Sequence, residues 1–160
     1  MKRIIGTIVT VAALSFSVVY AQVPVTAAPD QQVLLVSDNP QLQENKTLVY
    51  NFWREIFEGG HLDKADQYLS EDYIQHNPNV PTGRAAFVEF FGKFSKPKPI
   101  QDEIVAPLVS IVAERDMVIL SFAREHKDPN DANKTYTTTW FDMFRIENGK
   151  IAEHWDPAVK

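Results

Sequence analysis

The sequence of residues 138–156, TTWFDMFRIENGKIAEHWD, predicts two β-strands joined by a tight turn. Residues two apart in a strand point to the same face of a sheet. His154 and Asp156 should therefore project side by side, while Trp155 points to the other face. With Asp142 on the neighbouring strand, this hairpin offers an imidazole and two carboxylates, which are groups suited to acid/base chemistry.

The length of the hairpin loop decides whether Asp142 shares a face with His154. A two-residue Asn148-Gly149 turn would place Asp142 on the opposite face. A three-residue Glu147-Asn148-Gly149 loop, with the glycine in the left-handed conformation, would place Asp142 directly across from His154. We predict the three-residue loop, because it gathers the polar side chains on one face and the apolar ones on the other.

Three helices are predicted before the strands, from hydrophobic residues at helical spacing. They cover residues 44–58, 62–69 and 83–96, and the Gly59-Gly60 pair and Pro97 end the first and the last. Strands are predicted over residues 70–79, 102–113, 117–125, 134–146 and 150–156. Helices followed by a run of antiparallel strands predict an α+β domain, with the helices on one face of the sheet.

Residues 1–21 have the pattern of a secretory signal peptide. Lys2 and Arg3 precede an uncharged stretch, and Ala21 is the favoured cleavage site, with Ala28 as second choice. An uncleaved membrane anchor is the alternative, since about 17 apolar residues can just span a bilayer. We predict export to a bacterial periplasm or beyond, with no membrane contact after cleavage. Residues 22–43 are predicted to be a flexible leader, and residues 44–160 a single domain.

The composition excludes several classes of function. The chain has no cysteine, which removes disulfides, thiolate metal sites and thiol nucleophiles. Its formal net charge of −5 leaves no basic surface of the kind that binds nucleic acid. The sequence also lacks the glycine-rich phosphate-binding motifs and the nucleophile elbow of serine hydrolases.

Four segments taken together resemble the SnoaL-like polyketide cyclases of the nuclear transport factor 2-like superfamily. They are residues 52–55 (FWRE), 72–78 (DYIQHNP), 83–84 (GR) and 144–156 (FRIENGKIAEHWD), and the resemblance covers about residues 44–157. It implies a cone-shaped α+β barrel, in which a strongly curved antiparallel sheet wraps around three N-terminal helices. It further implies an apolar cavity, a homodimer, and cofactor-free aldol condensation with an aspartate as general acid/base.

We therefore expect an exported, cofactor-free acid/base enzyme acting on a small apolar carbonyl compound by aldol cyclisation, isomerisation or dehydration. Asp156 is the first choice of general acid/base, Asp142 the second, and His154 would orient or share the proton. An apolar pocket raises the pKa of a carboxyl group towards useful basicity. Alternatives are a binding protein that holds a hydrophobic ligand, and an interaction module without ligand. Asp142 and His154 would then be an inert pair.

The substrate-binding residues predicted from the same resemblance combine hydrogen-bond donors with aromatic walls. No metal is expected. The competing possibility is a two-histidine, one-carboxylate metal site formed by His76, His154 and Asp156. The predicted substrate-binding residues are His76, Asn77, Tyr73, Trp53, Phe57, Phe90 and Trp140.

Overall fold

The computed structural model describes residues 22–160, so the predicted signal peptide lies outside the described residues. Within residues 22–160, no helix has the length and apolar character needed to cross a membrane. A π-helical turn, Trp53–Glu58, directly follows the α-helix that ends at Phe52, and a 3₁₀ turn, Leu62–Lys64, directly precedes the α-helix that begins at Ala65. The helices are α1 Gln32–Leu35, α2 Pro40–Phe52, α3 Ala65–Tyr68 and α4 Arg84–Gly92, and the strands are β1 Leu69–Gln75, β2 Leu108–Glu114, β3 Met117–Lys127, β4 Thr135–Glu147 and β5 Lys150–Trp155.

The five strands form one mixed sheet in the order β1-β5-β4-β3-β2. The predicted α+β class is confirmed, but the sheet is open rather than closed into a barrel. The expectation of a purely antiparallel sheet is wrong for one pair, because β1 runs parallel to β5. Parallel neighbours need a long connection between them, and here α4 and strands β2 to β4 supply it.

The helices differ from the prediction mainly at their ends. The helix predicted over residues 44–58 is α2, and it begins at Pro40 rather than at residue 44. The Asn39 side chain caps it by accepting hydrogen bonds from the backbone N–H groups of Gln41 and Leu42. The predicted helix over 62–69 is split between the 3₁₀ turn and the four-residue α3. Residues 22–160 contain four α-helices in place of the three predicted, because α1 forms within the segment predicted to be a flexible leader.

One aromatic cluster holds the helices on the inner face of the sheet. Phe52, which is fully buried, contacts Phe57 of the π-helical turn, Tyr68 of α3, Phe87 of α4 and Phe144 of β4, with ring centroids 5.6–6.2 Å apart. Burial of each such ring stabilises the fold by about 1.5–3 kcal/mol. This cluster sets the distance between the helices and the sheet, and so the space left for a pocket.

The hairpin loop is the two-residue turn, so the prediction of a three-residue loop is wrong. Asn148 and Gly149 have φ angles of 50° and 70°, which is the backbone of a type I′ turn. Glu147 accordingly pairs with Lys150. The Asn-Gly pair adopts this turn readily, because asparagine and glycine tolerate the left-handed conformation better than other residues.

A β-bulge three residues after the turn nevertheless brings Asp142 and His154 to the same face of the sheet. Ile146 pairs with Ile151 but Arg145 pairs with Glu153, so Ala152 is an extra residue in β5. Because the bulge adds one residue, every later side chain of β5 changes face. The last pair of β4 and β5 is Met143 with Trp155. The next residues along the two strands are Asp142 and Asp156, so Asp142 lies across from Asp156 rather than from His154. The three polar side chains share the inner face through the bulge, not through the loop.

Residues 22–43, predicted to be a flexible leader, contact the domain at several places, among them Gln22, Ala28 and Gln31. The Gln22 side chain exchanges two hydrogen bonds with the backbone of Thr137, of 2.6 and 3.0 Å, and the Ala28 N–H donates to the Leu108 carbonyl at 2.8 Å. Gln31 is buried. Its amide donates to the Ile104 carbonyl at 2.8 Å and accepts from the Ile104 N–H at 3.0 Å and from the Tyr50 hydroxyl at 2.9 Å.

Substitution Gln31→Ala should lower the free energy of unfolding by about 2–3 kcal/mol, because it leaves three buried polar groups without partners. The neighbouring Gln32 side chain is exposed, so Gln32→Ala is the matched control and should change stability little. Urea unfolding of the two variants measures the difference. Equal stability of both would show that the Gln31 hydrogen bonds do not anchor this segment.

Candidate functional site

A pocket of about 300 Å³ lies between the helices and the inner face of the sheet. One end of it is polar and the walls are largely aromatic, and the π-helical turn contributes two of the rings. Its lining residues are Trp53, Phe57, Gln75, Asn77, Val80, Phe90, Phe91, Arg124, Trp140, Asp142, His154 and Asp156.

A larger surface groove, of about 730 Å³, lies elsewhere, beside Arg54 and Lys98. No imidazole lines this groove, and its carboxylate, Glu58, already accepts hydrogen bonds from the backbone N–H groups of Val105 and Ala106. Size alone therefore does not identify the site. The smaller pocket holds the acid/base groups.

A buried pair forms the polar end of this pocket. Asp142 and His154 are 3% and 1% exposed, and Nε2 of the imidazole lies 3.0 Å from Oδ1 of the carboxyl group. The other ring nitrogen, Nδ1, lies 3.1 Å from Oε1 of Gln75. Phe144, which pairs with His154 across the hairpin, stacks on the imidazole at 4.6 Å. The ring is therefore held by two hydrogen bonds and one aromatic contact.

The hydrogen-bond network assigns the proton positions in this pair. The backbone N–H of Asn77 donates to the same Gln75 atom, at 3.0 Å, so that atom is the amide oxygen. His154 Nδ1 must then be the donor to Gln75, because two acceptors cannot bond to each other. The contact between Nε2 and Asp142 also requires a proton. The pair consequently shares one proton and carries no net charge, whichever partner holds it.

Gln75 was not among the site residues predicted from the sequence. Its amide nitrogen donates to the Tyr73 hydroxyl at 3.0 Å, which completes a buried chain from Tyr73 through Gln75 and His154 to Asp142. Burial, together with the charges of Asp156 and Asp142, raises the pKa of Tyr73 and keeps its phenol protonated. The signal was the alternation of β1, which puts Tyr73 and Gln75 on one face.

Asp142 combines burial with an unpartnered oxygen. Burial raises the pKa of its carboxyl group above the ordinary value of 3.8, the hydrogen bond with His154 opposes the rise, and the charge of Asp156 adds to it. Among the contacts within residues 22–160, Oδ2 of Asp142 is buried and has no hydrogen-bond partner. A poorly solvated carboxyl group with a free oxygen is suited to accept or donate a proton.

Asp156 is less buried, and both of its oxygens are occupied. Oδ2 accepts from the Asn77 side chain and Oδ1 from the Ala158 N–H, each at 2.8 Å. Ligand atoms of Asp142, His154 and Asp156 lie within 4.8 Å of one another, and among residues 22–160 these three side chains could approach one cation. Both His154 nitrogens are engaged, however, and a metal ion would have to replace Asp142 at Nε2.

The prediction that His76 lines the cavity is wrong, and His76 is not part of the cluster of Asp142, His154 and Asp156 that the competing metal site would need. Its Nε2 lies 2.9 Å from a Glu153 oxygen and its ring stacks on Trp155 at 4.5 Å, on the outer face of the sheet. Successive residues of an extended chain face opposite sides, so His76 points outwards because Gln75 points inwards. Tyr73 lies beneath the pocket as core, with its ring against Phe87.

The other predicted site residues are all part of the pocket wall. This holds for the three polar groups of the hairpin and for five of the seven predicted substrate-binding residues. The lining residues that were not predicted as site residues are Gln75, Val80, Phe91 and Arg124. The predicted residues found in the wall are Asp142, His154, Asp156, Asn77, Trp53, Phe57, Phe90 and Trp140.

An open sheet covered on one face by helices, with a pocket between the two layers, is the architecture of nuclear transport factor 2-like proteins. A family model described as a SnoaL-like domain matches residues 49–154, which is more than half of the chain. The chain belongs to the SnoaL-like domain family. No curated protein sequence matches it significantly.

Solved structures with a similar fold come from several bacteria. An LEH-like epoxide hydrolase of M. tuberculosis is 14% identical, with a TM-score of 0.51, over 74% of this chain and 81% of that one. A candidate polyketide cyclase of Acidithiobacillus ferrooxidans is 17% identical, with a TM-score of 0.48, over 76% and 89%. Bal32a, from a soil-derived mobile gene cassette, is 17% identical, with a TM-score of 0.49, over 72% and 89%. At such identities the likeness concerns the fold.

The tautomer of His154 can be read directly by long-range ¹H–¹⁵N NMR of the imidazole. We expect Nδ1 to be protonated in the unmodified protein. In Gln75→Leu the acceptor is gone, and the ring should shift towards the form protonated at Nε2 alone, facing an ionised Asp142. Gln67→Leu, at an exposed position, is the control and should leave the spectrum unchanged. An unprotonated Nδ1 in the unmodified protein would contradict the assignment.

The raised pKa of Asp142 predicts how stability depends on pH. The folded state binds this proton more tightly than the unfolded chain does, so the stabilisation is present below pH 3.8 and is lost as pH rises towards the raised value. Asp142→Asn cannot titrate, and its amide can still donate to His154 Nε2. Its stability relative to the unmodified protein should therefore increase as pH rises over this range, because only the unmodified protein loses this stabilisation.

Urea unfolding between about pH 4 and pH 8 measures this difference, since 1 pKa unit corresponds to about 1.4 kcal/mol. Asp72→Asn, on an exposed part of β1, is the control and should show no such trend. A loss of stability in Asp142→Asn that is the same at every pH would contradict the prediction.

Proposed function

We propose that this protein is a cofactor-free acid/base enzyme that removes a proton from the carbon next to a carbonyl group of a small, largely apolar compound. The observation that carries the proposal is a pair of buried polar atoms without partners within residues 22–160, on two residues of the same pocket wall. One is the carboxyl oxygen Oδ2 of Asp142, and the other is the indole donor Nε1 of Trp53.

Each of these atoms suits one half of the reaction. Asp142, ionised while His154 holds the shared proton, takes the proton on Oδ2, and the electron pair of the C–H bond moves to the carbonyl oxygen as an enolate. The Trp53 N–H is a donor for that oxygen. In an aldol cyclisation the enolate carbon then attacks a second carbonyl, and the resulting alkoxide takes the proton back from Asp142. In an isomerisation a conjugated enolate takes that proton back at a different carbon.

Asp142, rather than Asp156, is the proposed general acid/base, which reverses the order of preference taken from the sequence. Both oxygens of Asp156 accept hydrogen bonds, whereas Asp142 keeps one oxygen free. His154 has no nitrogen left for a substrate, so we assign it as a positioning residue that orients Asp142 and stores the proton. The charge of Asp156 supports the raised pKa of Asp142.

The walls fit an apolar substrate body. The Trp53 indole is stacked between Phe57 and Phe122, at 4.7 and 4.6 Å, which fixes the direction of its N–H. Phe90 and Trp140 line the same pocket, whose volume suits a small molecule. Because the unpartnered atoms are closed to solvent, an entering substrate has to displace side chains of the wall.

The proposal includes export, a cone-shaped pocket and a homodimer. The signal-peptide pattern of residues 1–21 supports export. The helices packed against one face of the sheet support a cone that narrows towards the Asp142–His154 pair. For the homodimer, the supporting feature is the outer sheet face, where Val112 and Phe141 are 55% and 52% exposed.

Exchange of α-protons for deuterium tests the reaction class, with benzylacetone as the first member of a panel of small aryl ketones followed by NMR. Asp142→Asn should slow enzyme-dependent exchange by about 100-fold or more, because the proton acceptor is lost. Asp156→Asn should retain more activity than Asp142→Asn. Asp72→Asn, at an exposed carboxylate outside the pocket, is the control and should exchange at the unmodified rate.

Binding of the same ketones, measured by tryptophan fluorescence, separates an enzyme from a binding protein. A ketone that binds in the pocket but exchanges no faster than without protein would overturn the enzymatic proposal. That outcome would favour the alternative of a non-catalytic protein for hydrophobic ligands, in which Asp142 and His154 are a satisfied structural pair.

A further inference from the structure

Arg124 is a cation of the pocket wall that the mechanism above does not use. It lies on the inner face of β3, and its guanidinium carbon is 3.5 Å from the centroid of the Trp140 ring. Its side chain forms no ion pair or hydrogen bond with any of residues 22–160. The side chain is otherwise exposed, so this charge stands at the solvent side of the pocket.

Stacking on an indole orients the guanidinium group without occupying its donors. A guanidinium plane that lies on an aromatic face keeps its N–H edge available, and that edge matches the two oxygens of a carboxylate. Trp140 also fixes the position of the group, since the indole is itself part of the wall. The guanidinium group of Arg124 is thus held in one orientation, and its N–H donors have no acceptor among residues 22–160.

The charges at the polar end of the pocket leave Arg124 available for an anion. The Asp142–His154 pair shares one proton and is neutral, so Asp156 is the only net negative charge of the three. Asp156 accepts its hydrogen bonds from Asn77 and Ala158. No carboxylate among the described residues lies within contact of the guanidinium group.

We propose that Arg124 forms an anion subsite, and that the substrate is a carbonyl compound with a carboxylate at one end of an apolar body. This inference rests on the proposed function and names its substrate class. Trp140, on which the guanidinium lies, and Asp142 are two residues apart on β4 and therefore about 7 Å apart along the strand. The carboxylate thus lies only a few bonds from the carbon that loses its proton.

Binding tests the subsite without any reaction. The probes are hydrocinnamate and hydrocinnamamide, which have the same shape and differ in charge, and their affinities are measured by tryptophan fluorescence at low ionic strength. The unmodified protein should prefer the carboxylate by roughly tenfold or more. Arg124→Gln should reduce this ratio to about one, and Arg124→Lys should keep only part of it, because the lysine cannot form the bidentate contact.

Arg115→Gln is the matched control, because the Arg115 side chain is 87% exposed at the β2–β3 turn, outside the pocket. It should keep the full preference for the carboxylate. Equal affinity for both probes in the unmodified protein, or an unchanged preference in Arg124→Gln, overturns the anion subsite.

The exchange reaction then separates failure of the subsite from failure of the proposed function. Benzylpyruvate carries a carboxylate where benzylacetone carries a methyl group. The unmodified protein should exchange the α-protons of benzylpyruvate with a kcat/KM roughly tenfold higher or more than those of benzylacetone. A binding preference without exchange of either compound would leave the subsite standing and overturn the proposed enzyme. Exchange of both at the same kcat/KM would support the enzyme and overturn the subsite.

Discussion

The extra residue at Ala152 is the constraint on which the candidate site depends. A two-residue turn followed by a regular ladder would put Asp142 on one face of the sheet and His154 on the other. The bulge shifts the rest of β5 by one residue, and with it the face of every later side chain. The ladder between β1 and β5 is irregular at the same position, between Ile151 and Glu153. Both neighbours of β5 thus accommodate the bulge, and His154 reaches the pocket because of it.

Burial of the polar groups then requires a complete hydrogen-bond network. An imidazole and a carboxyl group removed from water are costly unless each finds partners. Gln75 provides the decisive partner, because its oxygen is oriented by the Asn77 N–H and accepts from His154. That contact leaves only Nε2 to face Asp142 and obliges the pair to hold a proton. Of the two oxygens of Asp142, Oδ2 alone stays outside this network among residues 22–160, and the proposed proton transfer relies on it.

The aromatic layer sets the scale of the pocket. Phe52 joins three helical segments to β4, and the π-helical turn after it brings Trp53 and Phe57 to the pocket wall. A widened turn of this kind shifts the direction of side chains relative to a regular helix, and such turns are frequent at functional sites. Phe57 thus belongs both to the pocket wall beside Asp142 and to the cluster that attaches the helices to the sheet.

Much of this arrangement follows from the sequence itself. Alternation in the strands predicts that His154 and Asp156 share a face, and the helical spacing of aromatic residues predicts the apolar layer that covers them. The Asn-Gly pair specifies a type I′ turn by its own backbone preferences, although we predicted the longer loop. Only the tertiary structure decides the remainder. Ala152 has no local signature of a bulge, since its position depends on the ladders on both sides of β5. The hydrogen bond between His154 and Gln75 and the stacking of Arg124 on Trp140 likewise depend on contacts between different strands, which the pattern within one strand does not contain.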